Sequence, residues 1–141
     1  MNAENKITIK HIRIDNFELP SVITSAIGNP SQTKVLEVIK SYEAIDHEII
    51  GAFMDDILIG ALGICKENEV ITIRHIALLQ DFQRRGIGTL LLDFLKKCYE
   101  RYRIIAETDG ESVDFYSKSG FTCHKFKGRY GNLRYKCEFS I

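Results

Sequence analysis

The stretch "HIALLQDFQRRGIGTLLLDFLKK", residues 75–97, decides how the chain is read. An apolar run from His75 to Leu79 stops at a polar loop. Two adjacent arginines, Arg84 and Arg85, precede Gly86-Ile87-Gly88. From Gly86 to about Arg101, Ile87, Leu90, Leu91, Phe94, Leu95 and Cys98 recur at helical spacing, which predicts a helix with one buried face. The first turn of a helix leaves backbone N–H groups unpaired and carries partial positive charge. An anion placed there gains hydrogen bonds at little reorganisation cost. Glycine lets the backbone come close and adopt positive φ. Gln83, Arg84, Arg85, Gly86, Ile87, Gly88 and Thr89 therefore form a candidate anion cradle.

The flanks supply the scaffold. "EVITIRHIALL" (69–79), rich in β-branched residues, predicts the central strand, and "RIIAET" (103–108) predicts a short buried one. The strand–helix–strand unit 70–108 is expected to be a right-handed parallel crossover. Upstream, "ITIKHIRI" (7–14) alternates apolar and polar residues as a strand does. Residues 17–28 predict a short helix, and Ser31 is an N-cap candidate for a second helix running to about Ala44. "HEIIGAFM" and "ILIGALGICK" predict a hairpin turning at Asp55-Asp56. Downstream, "GESVDFYSKS" predicts a short helix stopped at Gly120. "FTCHKF" and "NLRYKCEF" predict closing strands around a Gly128–Gly131 turn. The expected fold class is α/β: one mixed sheet with helices on both faces, in a single domain over residues 1–141.

The 141-residue chain carries nineteen basic and nineteen acidic side chains, so no global field draws it to nucleic acid or an anionic membrane. No apolar stretch approaches the roughly 18 residues of a bilayer span. Residues Met1 to Lys10 show no apolar leader region, which points to the cytoplasm. Cys65, Cys98, Cys123 and Cys137 are widely spaced, with no CxxC and no Cys/His pair at zinc-ligand spacing. They are expected to be buried free thiols, and no metal is expected.

Three phosphate motifs compete for the cradle. A P-loop needs Gly-Lys-Ser/Thr after a four-residue spacer, and no such string exists here. The dinucleotide fingerprint GxGxxG fails because "GIGTLL" lacks the third glycine. The pattern Gln/Arg-x-x-Gly-x-Gly/Ala is matched in full by "QRRGIG" (83–88). A second stretch, "ESVDFYSKSGF" (111–121), lies one strand downstream and is similar to an "A-x-x-F-Y-x-K-x-G-F" signature. Together with the inferred element order, the chain resembles the GCN5-related N-acetyltransferase (GNAT) superfamily over nearly its whole length.

That resemblance implies a central mixed, mostly antiparallel sheet. It implies acetyl-CoA as cofactor, with the pyrophosphate of coenzyme A in the 83–89 loop and the pantetheine arm between two splayed central strands. Ala77 and Leu78 then join the cofactor site. The Leu78 backbone amide would meet the thioester carbonyl, aimed by a bulge near Ala77–Leu78. Tyr116 would be the general acid that protonates the departing thiolate. A thiol of pKa ~8.5 leaves more readily when a phenol of ~10 hydrogen-bonds its sulfur. Phe115 and Phe121 are expected in the core. Family members often carry an asparagine seven residues before this tyrosine. Asp109 stands there instead, and a helix-capping role is the simpler expectation for it or a neighbour.

The base stays open at this stage. A glutamate that serves in some family members maps to Thr72, which cannot act as a base. His75 titrates near neutrality, and Glu107 lies on the neighbouring strand. Arg74, beside His75, could instead orient an acidic substrate. The leading expectation is an N-acetyltransferase that passes an acetyl group directly to a primary amine in a ternary complex. The acceptor would be a small molecule or a peptide, and homodimerisation through an exposed edge strand is a further option. A non-catalytic acyl-CoA-binding module is the alternative, and a nucleotide-dependent oxidoreductase is the third reading.

Overall fold

A computed structural model describes residues 6–141. Residues 1–5, half of the N-terminal stretch read for a leader, lie outside the described residues. The described residues form seven strands and four helices: β1 Ile7–Ile12, α1 Leu19–Ile23, α2 Gln32–Ser41, β2 His47–Met54, β3 Ile57–Glu67, β4 Val70–Leu78, α3 Ile87–Cys98, β5 Arg103–Thr108, α4 Val113–Lys118, β6 Thr122–Lys127 and β7 Leu133–Phe139. Every predicted element is present. Several end early: the first strand stops at Ile12, the second helix at Ser41 and the cradle helix at Cys98. A 3-10 turn over Thr24–Ala26 continues α1.

The sheet order is β1-β2-β3-β4-β5-β7-β6, which puts β4 at the centre. Among the described residues, only the β4–β5 pairing is parallel; the other neighbours are antiparallel. The fold class is therefore the mixed, mostly antiparallel sheet expected from the sequence.

Alternation along the strands feeds two cores. Ile50, Ile59, Leu62, Ile71 and Ile73 pack with α3 on one face. Ile49, Leu58, Ala61 and Ala77 pack with α1 and α2 on the other. Ser31 caps α2 as expected, its hydroxyl accepting from the Lys34 N–H at 3.1 Å.

Three expectations are corrected. The buried stripe of α3 is Ile87, Gly88, Leu91, Leu92 and Leu95, while Leu90 and Cys98 are exposed. Its packing against the central strands rotates the stripe toward Leu92, a position that periodicity alone left out. All four cysteines are free, yet only Cys137 is buried. Cys65 and Cys123 are half-buried. Lastly, the β4 bulge is not at Ala77–Leu78. Gly63 pairs with His75 and Ile64 with Ile73, which leaves Arg74 as the extra residue.

Candidate active site

The parallel ladder between β4 and β5 pairs Val70, Ile71 and Thr72 with Arg103, Ile104 and Ile105, and then stops. The bulge at Arg74 follows at once, and a bulge bends its strand. Beyond Thr72 the two strands part, and a cleft of about 600 Å³ opens there. The cleft receives His75, Ala77 and Leu78 from β4, Gln83, Arg84 and Gly88 from the glycine loop, and Glu107 and Tyr116 from beyond. The structure therefore gathers eight of the twelve residues singled out in sequence. Arg85, Gly86, Ile87 and Thr89 do not line the cleft wall. Arg85 lies over the Phe82 ring at 5.4 Å, and the Ile87 side chain is buried in the core. Only backbone atoms of Ile87 can face a ligand.

The two glycines are needed for different reasons. Gly86 has φ +81, a left-handed conformation that side chains resist, and a Cβ there would meet nothing within 4 Å. It is the N-cap of α3 and supplies no side chain to the amides that follow. Those amides keep their hydrogen-bonding capacity beside open space. A Cβ on Gly88, in contrast, would come 3.0 Å from Phe115 Cε1, so this glycine admits an aromatic ring. Arg84 also has positive φ, at +63.

The Leu78 backbone points into the cleft. Leu79 N–H donates to Ile59 O at 2.9 Å, on the β3 side. Neighbouring residues of a strand direct their N–H groups to opposite edges, so the Leu78 N–H faces the edge where β5 has departed. Its carbonyl accepts from Gln83 Nε2 at 3.2 Å on that side. Gly60 lies opposite, and a Cβ there would come 2.5 Å from Leu78 Cδ2.

Tyr116 is held by the end of its own helix. Phe121 N–H donates to Tyr116 O at 3.1 Å, and Gly120 N–H to Ser117 O at 3.1 Å, across a Gly120 with φ +91. This is a Schellman motif, and its usual hydrophobic contact is made by the Tyr116 and Phe121 rings at 5.3 Å. The Gly-Phe that follows the tyrosine in sequence thus locks its ring. Burial is the main cause that raises the Tyr116 pKa, with Cys137 and Cys123 adding to it, so the phenol stays protonated through neutral pH. Asp109 Oδ1 accepts from the N–H groups of Glu111 and Ser112, both at 3.0 Å. It orders the turn that leads into α4 but does not cap the helix: the N-cap is Ser112, whose side chain makes no capping hydrogen bond, so the helix-capping role expected for Asp109 or a neighbour is not taken up. Phe115 was expected in the core and is instead half-buried at the cleft wall.

His75 makes a contact that the sequence did not announce. Its Nδ1 lies 2.6 Å from the hydroxyl of Tyr42, which follows α2. Gly63 makes the room, because a Cβ there would overlap Tyr42 Oη. Burial and then the Arg74 charge hold the His75 pKa below its ordinary value, so the ring is neutral at pH 7. Ser25 and Ala26 also reach the cleft, as does Thr108. No motif in the sequence pointed to these three, which reach the cleft from the 3-10 turn after α1 and the end of β5, or to Tyr42, which backs His75 from the end of α2.

The fold and cleft define an acyltransferase-type domain with a parted central sheet. A family model described as acetyltransferase (GNAT) domain matches residues 29–135, so the chain belongs to the GNAT acetyltransferase family. An uncharacterised N-acetyltransferase of Staphylococcus saprophyticus is 33% identical over 88 residues, covering 55% of this chain and 59% of that protein. The chain thus matches well under two thirds of that relative's length. A Bacillus subtilis acetyltransferase in complex with CoA superposes with a TM-score of 0.73 at 20% identity, covering 96% of this chain and 99% of the other. An Elizabethkingia anophelis GNAT acetyltransferase with acetyl-CoA bound gives 0.73 at 19% identity, over 99% of this chain and 100% of the other. At such identities these two structures establish the fold. Among the described residues, no helix is long and apolar enough to cross a membrane.

Proposed function

We propose that this chain is an acetyl-CoA-dependent N-acetyltransferase that acts on a primary amine by direct attack. One observation carries the reading. Gly88 in the uncapped first turn of α3, the Leu78 backbone with its outward N–H and the Tyr116 side chain share a single cleft. The residues present suit the cofactor: open space above Gly86 and the free first-turn amides fit a pyrophosphate, with Arg84 adding charge. Bound there, acetyl-CoA would supply an activated acetyl group, as a thioester. The CoA-bound B. subtilis and acetyl-CoA-bound E. anophelis structures support this choice of cofactor, and the S. saprophyticus relative's name supports N-acetyl transfer.

The net exchange replaces an S–C bond by an N–C bond, with one proton lost by nitrogen and one gained by sulfur. The Leu78 N–H is a preset donor for the acyl oxygen as negative charge builds on it. The protonated Tyr116 phenol supplies the proton to sulfur. His75 and Glu107 both line the cleft and are the two candidates to take the amine proton. His75 is a neutral imidazole at pH 7, and Glu107 is an exposed carboxylate. The pH–rate profiles of His75→Gln and Glu107→Gln assign the base: loss of the acidic limb identifies the residue removed.

The primary test is calorimetric titration with acetyl-CoA, with NAD(H) and NADP(H) as controls. Saturable binding of acetyl-CoA alone is expected. Gly86→Asp should abolish it without unfolding the chain, because a carboxylate beside the amides repels phosphate and has open space to occupy. A folded protein that does not bind acetyl-CoA overturns the reading. Binding without turnover of any amine would make the domain a cofactor-binding module.

A further inference from the structure

Arg74 and His75 are consecutive, yet both reach the same tyrosine. The Arg74 guanidinium lies 4.7 Å from the centre of the Tyr42 ring, and His75 Nδ1 meets the Tyr42 hydroxyl. Regular alternation would send the two side chains to opposite faces. The bulge cancels it, so both turn toward the face covered by α1 and α2. Arg74 is also tied at one end: Nη1 donates to Ser41 Oγ at 3.0 Å, and Ser41 Oγ donates to Val38 O at 2.5 Å. The guanidinium is thus stacked and anchored while its remaining N–H groups stay available at the cleft.

Glu107 lies across the gap. The last paired residues are Thr72 and Ile105, and Arg74 and Glu107, each two residues further on, both line the cleft between the parted strands. Ile104 and Ala106 belong to the α3 core, so alternation turns Glu107 to the same face as Arg74. Among the described residues neither Arg74 nor Glu107 forms an ion pair, with each other or with any other group. A fixed cation and an acid therefore flank the parting of the strands, separated by cleft.

Resting on the acetyltransferase reading, we infer that the acceptor is a zwitterion: a primary amine that also carries a carboxylate, of the amino-acid class. The carboxylate takes the open fork of Arg74, for which a planar guanidinium is geometrically matched. The ammonium lies toward the Glu107 carboxylate, which supplies the opposite charge. A polyamine would set positive charge against Arg74, and a neutral amine would leave that fork unpaired.

The test compares α-amino acids with their carboxamides and with the amines lacking the carboxyl group, using acetyl-CoA and the intact chain. Spermidine is the cationic control, and a glutamate-led peptide amide tests whether a side-chain carboxylate serves. The free carboxylates should exceed their amides by about tenfold or more in kcat/KM. Arg74→Met, which keeps an apolar side chain against Tyr42, should raise KM for the carboxylates by a similar factor. The KM for acetyl-CoA should not change. Arg74→Lys, which keeps the charge and loses the fork, should fall between. Equal use of acids and amides, preference for spermidine, or no carboxylate accepted by a protein that binds acetyl-CoA would overturn the inference and leave the acetyltransferase reading standing. Failure to bind acetyl-CoA would remove that reading itself.

Discussion

At the residue scale, Tyr116 and His75 carry opposite electrostatic signatures from the same cause. Burial disfavours charge, so it raises the phenol and lowers the imidazole. Tyr116→Phe should cut kcat by about a hundredfold or more, within the range for a lost general acid, while acetyl-CoA binding is retained. Stopped-turnover kinetics beside calorimetry checks both halves. For His75 the sign with pH is fixed by linkage. The folded protein binds this proton less readily than the unfolded chain, whose histidine titrates near 6.5. Its contribution is complete above that pH and declines as pH falls below it. Removing the Arg74 charge should raise the His75 pKa, which an imidazole NMR titration of Arg74→Met reads directly. A rise in stability on acidification through this range would contradict the assignment.

The elements were largely legible because local chemistry built them. Ser31 before an apolar-periodic run, Asp55 at a two-residue turn with φ +53, and Gly120 after "FYSKS" each act within one turn of chain. The glycine loop shows the limit of that legibility. Gly86 and Gly88 read alike in sequence and differ in the fold: one needs its φ, the other faces Phe115. Gly86→Ala should cost about 1–2 kcal/mol from the left-handed backbone alone. Gly88→Ala sits inside the helix, where alanine gains about 1 kcal/mol in propensity, and it presses only on the far edge of a ring. Its stability should hardly change, while displacement of Phe115 into the cleft weakens acetyl-CoA binding. Chemical denaturation and calorimetry on the two variants separate these outcomes. The bulge was misplaced by three residues because its position is set by the β3 partner, with Gly63 opposite His75 and Ile64 opposite Ile73.

At the scale of the molecule, one sheet separates two cores, and the site lies where the sheet parts. Leu91, Leu92 and Leu95 are fully buried against the α3 face. Leu91→Ala should cost about 2–5 kcal/mol, read as a lowered denaturation midpoint. The cleft wall opposite, where Arg74 and His75 are backed by Tyr42, belongs to the other face and should keep its geometry in the fraction that stays folded. The sequence by itself determined the strands and helices, their order, the glycine loop at the start of α3 and the tyrosine at the end of a short helix. Each follows from periodicity, capping and turn chemistry, which operate over a few residues. Tertiary structure alone decided where β4 bulges, which side chains that bulge sends to one face, and that Tyr42 from a distant helix would brace His75 over Gly63. Those facts depend on pairing between strands and on which missing side chain leaves room for another, and no local pattern records them.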